Sequence, residues 1–206
     1  THSQNIEKHF LGIPNTQVIS INPRNAPKII YDTLLKTIDR PTIVIENKLD
    51  YTRKDSPIHS HSGYKYKKTN TKIYDLKYSI DNQEPDITMV CWGGLVCDME
   101  LLINDLTDKE EIVVEMICPT MLYPLNIQPI VESTIKTKKL LIVEDDNPFG
   151  TLGSEIIAQL KCLNIEFNTI QLNTANDIIP SSRILEEKHY VTNQEVYNTA
   201  KEFFLK

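Results

Sequence analysis

From residue 85 to the end of the chain, short apolar runs rich in β-branched residues alternate with longer segments of helical period. Ile87-Thr88-Met89-Val90-Cys91-Trp92 reads as a strand, and Gly93-Gly94 ends it. Leu95, Met99, Leu102, Ile103 and Leu106 then recur three and four apart, which puts them on one face of a helix. Residues 112–118 form the next strand, closed by Pro119. Pro124 and Asn126 precede a helix expected to turn Ile127, Ile130, Val131 and Ile135 inward. Leu140-Leu141-Ile142-Val143 is a third strand. Gly153 opens a helix carrying Ile156, Ile157, Leu160 and Leu163, and residues 167–172 form a fourth strand. A last helix carries Val196, Ala200, Phe203 and Phe204. Strands separated by helices of this length do not pair as hairpins. They lie side by side and parallel, with helices covering both faces.

The first fifty or so residues hold less of this pattern. Residues 16–21 read as a strand, and Asn25 is the expected cap of a helix with Pro27 in its first turn, where a missing N–H costs nothing. Ile30, Leu34 and Ile38 give that helix an apolar face. Residues 41–46 read as a buried strand. One and a half β/α units are too few to close a sheet, so the missing strands are expected upstream or on another chain, and the chain reads as part of something longer. From Lys48 to Asp86 periodicity dissolves into Lys, Tyr, Ser, Asn and Thr. The expected division is therefore residues 1–52, a connection over 53–85, and a second domain over 86–206 that folds alone.

The formal charge of −6 argues against a nucleic-acid surface. No apolar run approaches the ~20 residues that span a bilayer. Cys91, Cys97, Cys118 and Cys162 form no Cys-x-x-Cys and read as reduced thiols, which suits a cytoplasmic setting or, in a eukaryote, the mitochondrial matrix. His59-Ser60-His61 has no neighbouring ligands to complete a metal site and reads as loop. Glu144-Asp145-Asp146 reads as solvated loop charge, because successive side chains point apart and no His or Lys partner is evident. Gly150-Thr151-Leu152-Gly153 reads as a helix start rather than a phosphate cradle. His9 reads as packing, and Ser3 as a local capping residue.

His2-Ser3-Gln4, the turn over residues 6–11, Ile13-Pro14 and the strand over 18–21 together resemble the pyrimidine-binding domain of beta subunits of thiamine-diphosphate-dependent 2-oxoacid dehydrogenases. That family includes the pyruvate, branched-chain and acetoin types. Glu46, Lys48 and Tyr51 match the Glu-x-Lys-x-x-Tyr end of that domain, with Thr52 interposed before Arg53. The rest is similar to the transketolase C-terminal domain. Its strand–Gly pair is matched over residues 89–94, its Leu-x-Pro-Leu turn by Leu122-Tyr123-Pro124-Leu125, and its Val-Glu and Gly-x-x-Glu-Ile signals over residues 143–144 and 150–156.

The resemblance implies an α/β chain: an incomplete pyrimidine-binding-domain fragment, then a mostly parallel three-layer α/β/α transketolase C-terminal-like domain. It implies the beta portion of an enzyme that decarboxylates a 2-oxoacid and transfers the acyl group to lipoyl groups. His2 matches the family's active-site His, and an imidazole moves protons either way near neutral pH. The cofactors implied for the intact parent are thiamine diphosphate and Mg²⁺. None is expected on this chain alone, which lacks Gly-Asp-Gly and the activating carboxylate. Implied partners are an alpha-type subunit or domain, a second beta copy meeting the apolar end Phe203-Phe204-Leu205, and a lipoyl acyltransferase core. Two other readings stay open: an assembly module without catalysis of its own, and part of another thiamine enzyme such as transketolase or deoxyxylulose-phosphate synthase.

Overall fold

A computed structural model describes residues 5–37, 39–52, 63–68, 73 and 75–206. His2, Ser3, Gln4, Ile38, Arg53 and the His59-Ser60-His61 stretch lie outside them. A 3-10 turn over Glu7–Phe10 leads in. Then follow β1 (Gln17–Ile21), α1 (Pro27–Thr37), β2 (Thr42–Glu46), β3 (Tyr64–Lys68), β4 (Leu76–Ile80), β5 (Ile87–Val90) and α2 (Val96–Glu110). After these come β6 (Val114–Cys118), β7 (Met121–Tyr123), α3 (Gln128–Thr137), β8 (Lys139–Val143), α4 (Leu152–Cys162), β9 (Asn168–Leu172), the single turn α5 (Arg183–Glu186) and α6 (Asn193–Leu205).

The larger sheet has the order β3-β4-β6-β5-β8-β9. Strands β6, β5, β8 and β9 run parallel, while β4 and β3 are added antiparallel at one side. The strands at its centre are apolar on both faces because both are covered. Met89, Cys91, Leu141 and Val143 face a core shared with Met99 and Ile103 of α2 and with Ala200 and Phe203 of α6. Val90, Ile117, Leu140 and Ile142 face the opposite core, with Ile130 of α3 and Ile156 and Leu160 of α4. The result is three layers, α/β/α, with the mostly parallel sheet in the middle.

The smaller sheet has the order β2-β1-β7. Strand β1 runs parallel to β2 and antiparallel to β7, with Val18 opposite Tyr123 and Ile19 opposite Met121. A strand that β1 lacks in its own neighbourhood is therefore supplied from within residues 86–206. Close backbone approach seals the junction. A side chain at Gly94 would put its Cβ 1.8 Å from Asn47 Nδ2, and Gly93 holds φ at +59° against Ser20. The glycine pair thus serves close approach as well as the turn expected of it.

Several expectations change in detail. The stretch 53–85 is not only a connection, since β3 and β4 lie within it and Leu76 and Tyr78 are fully buried. Its alternation, Tyr-Lys-Tyr and Leu-Lys-Tyr, is that of strands with one wet face. Tyr64 accepts the Val114 N–H at 2.8 Å and Tyr78 donates to Glu100 at 3.3 Å. Asn25 does not cap α1. It clasps Asn22 instead, each accepting the other's backbone N–H at 3.0 and 3.2 Å. Strand β2 is half-buried rather than buried. Ile135 and Leu163 are exposed, and α3 turns Ser133 inward instead, where its hydroxyl meets Thr88 at 2.7 Å. Phe203 is buried, Phe204 is partly buried with the Lys139 ammonium 5.4 Å from its ring centre, and Leu205 is exposed. Cys162 is exposed, Cys97 is half-buried, and Cys91 and Cys118 lie buried with their sulfurs 3.8 Å apart. No described helix is long and apolar enough to cross a membrane.

Candidate functional site

Ligands of open parallel sheets gather where the strands point their carboxyl ends and the strand order reverses. Here the chain leaves β5 for β6 on one side and returns to β8 on the other, so that point lies between β5 and β8. The loop leaving β8 is Glu144-Asp145-Asp146-Asn147, read above as solvated. The structure corrects this: Glu144 is 1% exposed and Asp146 is 6% exposed. The partners lie far away in sequence, which is why none was evident.

Glu144 is a structural tie. It accepts the Gly153 N–H at 3.3 Å, at the start of α4, and Asn173 Nδ2 at 3.0 Å, with Gln171 closing the set from β9. Burial pushes its carboxyl up, and hydrogen bonds from Thr151, Asn173, Gln171 and Gly153 oppose this. Thr151 caps α4 by accepting the Ser154 N–H at 3.3 Å, so Gly150-Thr151-Leu152-Gly153 is the helix start expected. Asp146 is paired with Lys8 at 3.0 Å, and Lys8 also donates to Asn147 Oδ1 at 2.7 Å. The 3-10 turn before β1 is thereby pinned to the loop after β8.

Glu7, in that turn, is 5% exposed. Burial raises its carboxyl, the Asp146 charge adds to this, and the indole of Trp92 offsets part of it by donating a hydrogen bond. Asp145 stands against this pair. Burial, then the charges of Glu7 and Asp146, push it up to about 6. Among the described residues no hydrogen bond reaches its carboxylate. Both carboxyls are therefore poised to hold a proton closer to neutrality than an exposed acid would.

Asp145, Asp146 and Asn147 form the floor of a cleft of about 850 Å³. Its far wall is the segment 174–190, strapped down by Thr174 N–H to Asp146 O at 3.0 Å and Ala175 N–H to His189 O at 2.9 Å. His189 lines the cleft at 7% exposure, with Tyr190 edge-on at 5.6 Å between ring centres. Among the described residues, the imidazole has no hydrogen bond or ion pair. Asn5, three positions along from His2, lines the same cleft. His9 is exposed rather than packed. Of the Glu46, Lys48, Tyr51 motif, Glu46 and Tyr51 meet, and Tyr31 donates to the same carboxylate. The sequence reading passed over Glu7, Lys8 and His189. The one available signal was that Glu7-Lys8 lies in a turn that also carries Ile6 and Phe10. Among the described residues, no three of His, Cys, Asp or Glu are arranged around a common metal position.

Residues 76–196 match the family model described as the transketolase, C-terminal domain. The chain belongs to the transketolase C-terminal domain family. This transketolase C-terminal-type chain is also similar, well beyond residues 76–196, to curated dehydrogenase subunits. It is 26% identical to the pyruvate dehydrogenase E1 component subunit beta of Gracilaria tenuistipitata var. liui, over 97% of this chain and 59% of that one. The mitochondrial subunit beta of Chaetomium thermophilum is 26% identical over 97% and 51%. The 2-oxoisovalerate dehydrogenase subunit beta of Bacillus subtilis is 26% identical over 76% and 45%. The chain thus spans about half the length of these relatives. Among solved structures, a split-gene transketolase in an inactive beta4 tetramer superposes with a TM-score of 0.68 at 17% identity, over 97% of this chain and 61% of that one. A 2-oxoglutarate:ferredoxin oxidoreductase from Magnetococcus marinus gives 0.60 at 14%, over 92% and 42%. At such identities these two speak for the fold alone.

Proposed function

We propose that this chain is the C-terminal part of the beta-type subunit of a 2-oxoacid dehydrogenase's decarboxylating component. In the parent it takes part in oxidative decarboxylation of a 2-oxoacid with acyl transfer to lipoyl groups. The observation that carries the reading is similarity to such subunits over 97% of the chain, including residues ahead of the transketolase C-terminal match. On this reading, residues 1–52 are the end of a pyrimidine-binding domain and His2 is the residue that moves protons at the reacting centre. The working partners are an alpha-type subunit or domain, a second beta copy and a lipoyl acyltransferase core.

Thiamine diphosphate with Mg²⁺ does not fit the described residues alone. Among the described residues the cleft is lined by Asp145, Asp146, Asp177 and Glu186 and by no Lys or Arg, so a diphosphate there would meet like charge. The proposal therefore gives the diphosphate end to the alpha-type partner and leaves the isolated chain inactive. The test uses the parent enzyme with its partner. His2→Ala is expected to lower acyl transfer to lipoate by ~10²-fold or more, the usual scale for losing a positioned acid or base. Unchanged turnover would remove His2 from the chemistry. Stoichiometric, Mg²⁺-dependent binding of thiamine diphosphate to the isolated chain, read by calorimetry, would overturn the division of labour.

A further inference from the structure

We propose that the cleft between residues 145–147 and 174–190 binds an organic cation, a primary ammonium or guanidinium on a short apolar stem. The inference stands on the cleft and not on the dehydrogenase reading. Its sign comes first. Four carboxylates line the cleft, no Lys or Arg is among the described lining residues, and Lys8 is already committed to Asp146. Glu186 accepts the Tyr190 hydroxyl at 3.3 Å. Asp145 is left with Glu7 and Asp146 as neighbours and no hydrogen bond among the described residues. A cation placed there relieves a like-charge contact, whereas an anion would deepen it.

Acidic loops alone are common and say little. What distinguishes this one is His189. The residue is 7% exposed and lines the cleft, and among the described residues its ring nitrogens meet no hydrogen-bond partner. A ligand N–H entering the cleft finds there an acceptor that no described protein group occupies. A neutral imidazole offers one such acceptor, and Asp145 offers another on the opposite wall. The remaining lining suits a stem. Ile178, Ile179 and Pro180 form an apolar wall, and Ile178 is 87% exposed. The volume of about 850 Å³ lies within the range of small-molecule sites. A bare divalent metal suits the cleft poorly, since no three metal-ligating side chains converge among the described residues.

The same cationic chemistry comes from two sources: a free amine, or a Lys or Arg side chain reaching in from a second copy of this chain. The experiment uses the full chain, isotopically labelled, with n-butylammonium and n-butyrate as a matched pair of probes. Butylammonium is expected to shift the amides of 145–147 and 174–181 and the His189 ring resonances, saturably, while butyrate leaves them in place. Asp145→Asn is expected to weaken binding about tenfold, the scale of a lost charge-assisted hydrogen bond. His189→Phe, which keeps the ring and removes its acceptor, is expected to weaken it as well. Equal responses to the two probes, shifts mapping elsewhere, or Asp145→Asn binding as tightly as the parent chain would overturn the proposal. Sedimentation then separates the sources. A mass that falls on adding butylammonium assigns the site to a basic side chain of a second copy, and a saturable site with no change in mass assigns it to a free amine.

Discussion

Asp145→Asn keeps the shape of the side chain and removes its charge, and its effect on stability has a definite sign at each pH. The folded protein holds the Asp145 proton up to about pH 6, against an ordinary value of 3.8. Below the lower value the carboxyl is neutral in both states, and the stability of burying a neutral group is fully present. As the pH rises from there the unfolded chain ionises first and the folded group resists ionising beside Glu7 and Asp146, so that stability drains away and is fully lost once the pH has passed through about 6. Roughly two units at ~1.4 kcal/mol each set a ceiling of about 3 kcal/mol. The carboxylate is only partly buried, so about 1–2 kcal/mol is expected after solvent screening. Urea unfolding of both proteins from acid to mildly alkaline pH should show curves that coincide near pH 4. They should separate between pH 4 and 6 and stay a constant distance apart above that, with the Asn variant the more stable. Asp146, Asp177, Glu186 and His189 line the same cleft, with Lys8 paired to Asp146, and all of them are present in both proteins. Parallel curves, or an Asn variant weaker at every pH, would show that Asp145 is not held among like charges.

Other consequences follow from the packing. Arg24 reaches Glu100 through two nitrogens at 2.9 and 3.0 Å, and Arg24→Met would strand a carboxylate that is 3% exposed, costing roughly 3 kcal/mol in urea unfolding. Gly94→Ala drives a Cβ into Asn47 and is expected to cost about 1–3 kcal/mol, read as a lowered melting temperature. A chain cut back to residues 86–206 loses β3 and β4 and bares the edge of β6. It should aggregate rather than sediment as a defined species, contrary to the sequence expectation that this part folds alone.

What the sequence disclosed, and what it hid, divides along physical lines. Strands β5, β6 and β8 are buried on both faces, so their residues are mostly apolar, with Thr88, Glu115 and Lys139 the exceptions, and the α/β/α layering could be read directly. Strand β4 has one face toward Lys77 and Ser79 and reads as polar linker, yet Leu76 and Tyr78 are core. Strand β7 is three residues long and gives no period at all. The cleft was the least legible part. Whether a carboxylate such as Asp146 is solvated or buried depends on Lys8, whose other partner on that loop, Asn147, lies 139 positions further along the chain. His189 carries no local mark, because its isolation is a property of what surrounds it.

The pairing of β1 with β7 has a consequence for synthesis. A ribosome delivers residues 17–46 long before residues 121–123, and until then β1 has β2 on one edge and nothing on the other. Val18 and Ile19, both fully buried in the finished protein, are left uncovered while the intervening hundred or so residues emerge. The last turn of that delay ends only when Met121 and Tyr123 arrive to close the sheet. The first part of the chain is thus a debtor to a strand not yet made, and the interval is when a chaperone or a stray sheet edge competes for it.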